Sequence, residues 1–106
     1  MKVSELTGAK LDYWVAKAEG IEGYVTIDRF FQNHPTHAIL YSPSTNWSQG
    51  GPLVQSKRIT LEYMGGGEYD AFIEDPRKMQ RGKTALQAAM RCFVASAYGE
   101  EAPDES

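Results

Sequence analysis

Between Thr84 and Gly99 the chain carries Leu86, Ala89, Met90, Phe93, Val94 and Ala97. This is the i, i+3, i+4, i+7 spacing that lines one side of an α-helix over three turns. A helix with an apolar stripe about 100° wide must lie on something that buries the stripe, so a second layer of structure is required. Thr84 stands where a side chain can accept from the first free N–H groups, and Gly99 where the chain leaves the helix. A helix is therefore predicted over 84–98. Cys92 falls on the apolar side and reads as core rather than as a nucleophile.

The same reasoning predicts a first helix over 7–19. Leu11, Trp14, Val15 and Ala18 share a face, Thr7 can cap the start, and Gly20 stands at the exit. The residues between the helices alternate with period two. Tyr24 to Phe30 reads as one strand and Ala38 to Tyr41 as another, with a loop around Pro35. Ile59, Leu61 and Tyr63 alternate with Arg58, Thr60 and Glu62, and Tyr69 to Glu74 returns after Gly65-Gly66-Gly67. That run is a hairpin whose glycines supply positive φ. The fold class that results is α+β: a small, mainly antiparallel sheet of three to five strands packed with two or three helices, an α/β sandwich.

A chain of 106 residues has room for one core, and residues 1–99 are assigned to one domain. The formal charge of -3 is uneven: Glu100, Glu101, Asp104 and Glu105 carry no neighbouring base, and without them 11 basic side chains face 10 acidic ones. The acidic tail, 100–106, is expected to fray. A nearly neutral body makes nucleic-acid binding a poor fit, although Arg77, Lys78, Arg81 and Lys83 form a local basic run, read as a loop. No apolar run reaches the roughly 18 residues that cross a bilayer, and MKVSELTG has no signal-peptide core. No membrane association and a cytoplasmic location, in a bacterial host, are expected. One cysteine excludes an internal disulfide.

Catalytic constellations are absent from the sequence. Gly82-Lys83-Thr84 resembles the end of a phosphate-binding loop, but that motif needs glycine where Arg77 stands. His34 and His37 lack the further ligands a zinc site requires, so no metal or cofactor is assigned. No serine sits in a G-x-S-x-G elbow. The chain is not expected to be an enzyme.

Residues 41–52, YSPSTNWSQGGP, carry the strongest sign of a site. As a helix start, Ser44 or Thr45 would cap a short, irregular helix near 45–56, Pro43 would fix its first turn and Trp47 would turn into the core. Gln49-Gly50-Gly51-Pro52 is expected to interrupt that helix, and paired glycines admit a ligand or another backbone. As a binding wall, Tyr41 and Trp47 would stack on a base. Ser42, Ser44, Thr45, Asn46, Gln49, Gly50 and Gly51 would provide polar contacts and close approach. Arg81, Lys83 and Thr84, at the start of the last helix, would hold phosphate.

Three segments taken together, SELTGAKLDYWVAKAEG, YSPSTNWSQGGPLVQ and TALQAAMRCFVASAYGEE, resemble the small phage and prophage proteins of the NinX type. The order of elements is also similar to the wider phage ABA-sandwich proteins. The likeness runs from Ser4 to about Glu101 and is weakest over 24–40 and 75–82. It implies a phage origin and an α/β sandwich, and it brings no catalytic residues. Two functions are expected to compete. One is sequestration of a small nucleotide-type ligand, such as a host immune second messenger; the other is a protein-interaction module acting on a host or phage protein. The surplus of large aromatics further suggests a homo-oligomer, most simply a dimer.

Overall fold

The computed structural model describes residues 1–74 and 77–103. A 3-10 turn over Val3–Glu5 leads into α1 (Gly8–Glu19), then β1 (Gly23–Val25), β2 (Phe30–Gln32) and β3 (Ile39–Leu40). α2 (Trp47–Ser56) follows, then β4 (Thr60–Gly65), β5 (Glu68–Glu74), β6 (Arg77–Gly82) and α3 (Ala85–Tyr98). The fold is α+β, with the strands divided into two antiparallel three-stranded sheets, β1-β2-β3 and β4-β5-β6, rather than joined in one.

α3 is the pillar of the core. It lies on β5 and β6 and receives α1 and α2 on its flanks. Its stripe is buried at Leu86, Ala89, Met90, Phe93 and Val94, each at most 5% exposed, but Ala97, expected on the same stripe, is exposed. Thr84 Oγ1 accepts from the Gln87 N–H at 3.0 Å, and the Gly99 N–H closes the last turn on Ala95 O. Cys92 is fully buried and its Sγ faces the Lys78 carbonyl oxygen of β6 at 3.4 Å. Burial pushes its thiol up to about 11.

α1 begins after Thr7 as expected, but the Thr7 side chain makes no capping bond. Gly20 ends it in the left-handed region at φ 75°, where a Cβ is disfavoured. Leu11, Trp14 and Val15 are buried between α3 and the first sheet. Trp14 meets Tyr98 edge-to-face on one side and Tyr13 on the other.

Four expectations are corrected. The single strand over 24–30 is a hairpin: β1 and β2 pair with Tyr24 opposite Phe31, and 26–29 turn between them, closed by the Thr26 N–H on Arg29 O at 2.7 Å. The basic run is not a loop, since Arg77–Gly82 is the strand β6, paired along β5 from Glu74↔Arg77 to Tyr69↔Gly82. The helix near 45–56 is continuous through Gly50, Gly51 and Pro52. The Cδ of a proline crowds the Cβ of a preceding residue held in the α-conformation, and Gly51 has none. The acidic tail, finally, is docked where it starts. Val3 N–H reaches Glu100 O at 3.0 Å, Ala102 N–H reaches Met1 O at 2.9 Å, and Gln80 Nε2 reaches Glu100 Oε2 at 2.8 Å. Ala102 is buried; residues 104–106 lie outside those described.

Candidate functional site

The segment before α2 turns most of its polar groups onto the protein itself. Gln49 acts as a clamp: its Oε1 accepts from Ser42 N–H at 2.7 Å, and its Nε2 donates to Leu40 O at 3.0 Å. That ties the edge of β3 to the first turn of α2. Asn46, not Ser44 or Thr45, is the cap, and its Oδ1 accepts from the Ser48 N–H at 2.9 Å and the Ser48 hydroxyl at 2.7 Å. Thr45 is exposed, with its hydroxyl directed at Ser42 O.

Ser44 is buried, and its N–H donates to Asp12 Oδ1 of α1 at 2.9 Å. Its hydroxyl has no partner of hydrogen-bonding geometry. Burial pushes the Asp12 carboxyl above its ordinary value, against the pull of the Ser44 N–H. Tyr41 is only 8% exposed, its ring edge-on to Phe30, and burial followed by the charges of Glu19 and Asp12 pushes its phenol up to about 12. Its face is therefore closed to a ligand. Trp47, expected in the core if the segment were only a helix start, is 55% exposed.

The glycines divide. A Cβ on Gly50 would overlap the Pro43 carbonyl oxygen and the Leu86 side chain, whereas one on Gly51 would make an ordinary contact with Trp47. Gly50 thus lets α2 approach the start of α3.

The segment before α3 also bonds many of its polar groups to the protein itself, but it differs in the charge it gathers. Thr84 caps through the Gln87 N–H, and Gln87 reaches back to accept from Lys83 N–H at 2.9 Å, a reciprocal arrangement close to a capping box. Arg81 holds Asp70 of β5 through Nε at 2.7 Å and Nη2 at 3.3 Å, and this hydrogen-bonded pair keeps the Asp70 carboxyl below its usual range. Arg91 binds Leu6 O at 2.9 Å and Arg81 O at 2.7 Å. Burial draws its guanidinium below the ordinary value.

Arg81, Lys83 and Arg91, with Ser4, Thr7 and Gln87, surround a shallow hollow of about 440 Å³ whose acidic member is Glu68. Arg91, Ser4 and Thr7 escaped the sequence reading. The signal for Arg91 was present, because Thr84, Gln87 and Arg91 stand at i, i+3 and i+7 on one side of α3.

Ser42 and Thr45 line a different hollow, of about 270 Å³, with Gly8, Asp12 and Arg29. Neither of these two hollows is lined by both candidate segments. They meet instead through the core contact of Gly50 with Leu86. The His34 and His37 rings lie 4.4 Å apart between centroids, tilted by 38°, and share the Thr36 hydroxyl. Among the described residues no group of three or more His, Cys, Asp or Glu side chains is placed to hold a metal, and no helix is long and apolar enough to cross a membrane.

The chain is thus a small α+β domain with a hollow lined by Arg81, Lys83 and Arg91 at the start of α3. The family model described as Bacteriophage P22, NinX matches residues 2–97, and the chain belongs to that family. Comparison with curated proteins yields no match.

Proposed function

We propose that the chain binds and sequesters a small phosphorylated, nucleotide-type ligand, such as a second messenger of host immunity, without altering it. The observation that carries this reading is the cluster of Arg81, Lys83 and Arg91 around the hollow at the start of α3. Phosphate oxygens accept charge-assisted hydrogen bonds, and the positive end of a 14-residue helix favours the anion further. Ser4, Thr7 and Gln87 add neutral polar groups. Trp47 is the accessible ring for a base, since Tyr41 is enclosed.

The second reading, a module that binds a host or phage protein, is favoured by the separation of the two hollows and by the exposed indole of Trp47. Incubation with cyclic dinucleotides and cyclic ADP-riboses, followed by heat denaturation and analysis of the supernatant, separates the readings. Sequestration predicts intact ligand in the supernatant, and a roughly ten- to hundredfold loss of affinity in Lys83→Ala. Altered product would make the protein an enzyme. Failure to retain any such ligand, or retention unchanged in both Lys83→Ala and Trp47→Ala, leaves the protein-binding reading.

A further inference from the structure

We propose that the hollow between α1 and the tip of the β1–β2 hairpin, with Asp12 in its wall, binds a small primary amine in its ammonium form. Asp12 is the buried acid of that wall, 4% exposed, in a space of about 270 Å³. Its Oδ1 accepts from the Ser44 N–H at 2.9 Å. Among the described residues no group donates to its other oxygen, and no base stands within ion-pair distance of it. That oxygen is not sealed in the core either, because among the described side chains the Ser44 hydroxyl alone is both sealed and unpartnered. The free oxygen therefore opens on the hollow that Asp12 lines. A buried carboxylate needs opposite charge and donors for both oxygens, and an ammonium group supplies the two together. The raised Asp12 carboxyl agrees with this, since its burial is offset by one backbone N–H and by no cation.

Charge, shape and donor count select an amine. The wall carries two acids, Asp12 and Asp28, against one base, Arg29, so a single monocation neutralises it. Asp12 stands more than a turn inside α1, beyond the reach of the positive helix end, which fades within the first turn. The hydroxyls of Ser42 and Thr45 face the same space and are held only by long contacts, 3.4 Å to Gln49 Oε1 and 3.5 Å to Ser42 O. Either can turn an oxygen towards the remaining N–H groups of an ammonium, which has three to place. Ala9 and Leu40 offer apolar surface to an alkyl stem. The volume falls just under the roughly 300 Å³ at which pockets for larger ligands begin, which sets the ligand as small. A divalent metal ion is a poorer match, because it takes six or more oxygen ligands and no group of three acids, histidines or cysteines is assembled among the described residues. No residue lines both this hollow and the cationic one at α3, so the amine site and the nucleotide reading stand or fall separately.

The Ser44 amide reports on the site directly, because it is bonded to the same carboxyl. Titration of the full chain with n-butylammonium chloride, followed through the backbone amide resonances, should move the Ser44 signal along a saturating curve. A dissociation constant on the order of 1 mM is expected for so small a ligand. Tetramethylammonium has the charge without N–H donors, n-butanol has the shape without the charge, and neither should reproduce the shift. Asp12→Asn keeps an acceptor for the Ser44 N–H and should weaken binding about tenfold or more. Nuclear Overhauser contacts from the ligand to the Ala9 and Leu40 methyl groups locate the amine in the parent chain, so the test survives a variant that fails to fold. Absence of a saturating shift, an equal shift with tetramethylammonium or n-butanol, unchanged affinity in folded Asp12→Asn, or ligand contacts only to other methyl groups would each overturn the proposal.

Discussion

α2 and α3 both start on a side-chain cap, Asn46 in one case and Thr84 in the other, and the two starts touch through Gly50 and Leu86. They nevertheless differ in what is left facing solvent. The start of α2 folds Gln49, Asn46 and Ser44 back onto backbone groups and onto Asp12, and only Trp47 faces outwards as a large ring. The start of α3 satisfies its own backbone with two side chains, and around its open hollow stand Lys83, Arg81 paired with Asp70, and Arg91 bonded to the Leu6 and Arg81 carbonyl oxygens. A stretch rich in hydrogen-bonding residues is thus no guide to a ligand until its internal bonds are known. Helix starts need partners of their own before they can serve anything else.

The contrast can be broken at the residue on which both helix starts rest. Leu86 is 3% exposed beneath them, and Leu86→Ala should cost about 2–5 kcal/mol. Thermal unfolding would show this as a large fall in melting temperature, and an unchanged curve would mean the two starts do not pack as described.

Gly50→Ala is next. Its new Cβ meets a backbone carbonyl that cannot rotate away, so about 1–3 kcal/mol is expected from overpacking. A neutral result in denaturant titration would return Gly50 to the role of ligand approach.

The caps sharpen the comparison. Asn46→Ala and Thr84→Ala should each cost about 1 kcal/mol, despite the difference in charge around them. Ligand retention should separate them, because only Thr84 positions the cationic start of α3.

The smallest effect is on pH dependence. Asp12 is raised in the folded state, so the folded protein holds that proton more tightly, and its contribution is lost as pH rises from 3.8 through the raised folded value. Asp70 is lowered, so its contribution is present above 3.8 and is lost as pH falls through the lowered folded value. Asp12→Asn keeps an acceptor for the Ser44 N–H and removes the first slope only. Melting temperatures between about pH 4 and 7 should then decline less with rising pH than in the parent. Equal slopes would mean that Asp12 titrates normally.

How much of this was legible depended on whether burial followed apolarity. α3 could be read to within a residue because its core positions are apolar and both ends carry capping residues. β6 could not: its inward positions are Lys78, Gln80 and Gly82. Gln80 is tolerated at 5% exposure because Glu100 receives its amide, a partner twenty residues away that no local pattern announces. The hairpin at 24–32 was hidden for another reason. The turn at 26–29, Thr-Ile-Asp-Arg, contains neither glycine nor proline, so two short strands continue one alternating pattern. For the site, Arg81 and Lys83 were legible as bases just before α3, while the strand that carries Arg81 was not. The inward use of Gln49 and Tyr41 depends on tertiary contacts with β3 and Phe30, and composition does not carry that information.

Cys92 turns the interior of this protein into a clock. It is the sole thiol in the sequence, and it sits under α3 against β6 with its ionisation suppressed. A thiol reagent consumes the thiolate, so the intact fold should be almost inert to it, and each alkylation event records a moment at which α3 has lifted from the sheet. No probe need be engineered. Anything that binds the closed form slows the clock by mass action, and the slowing reports occupancy of the folded state whether the bound species is a nucleotide, a protein or another copy of the chain.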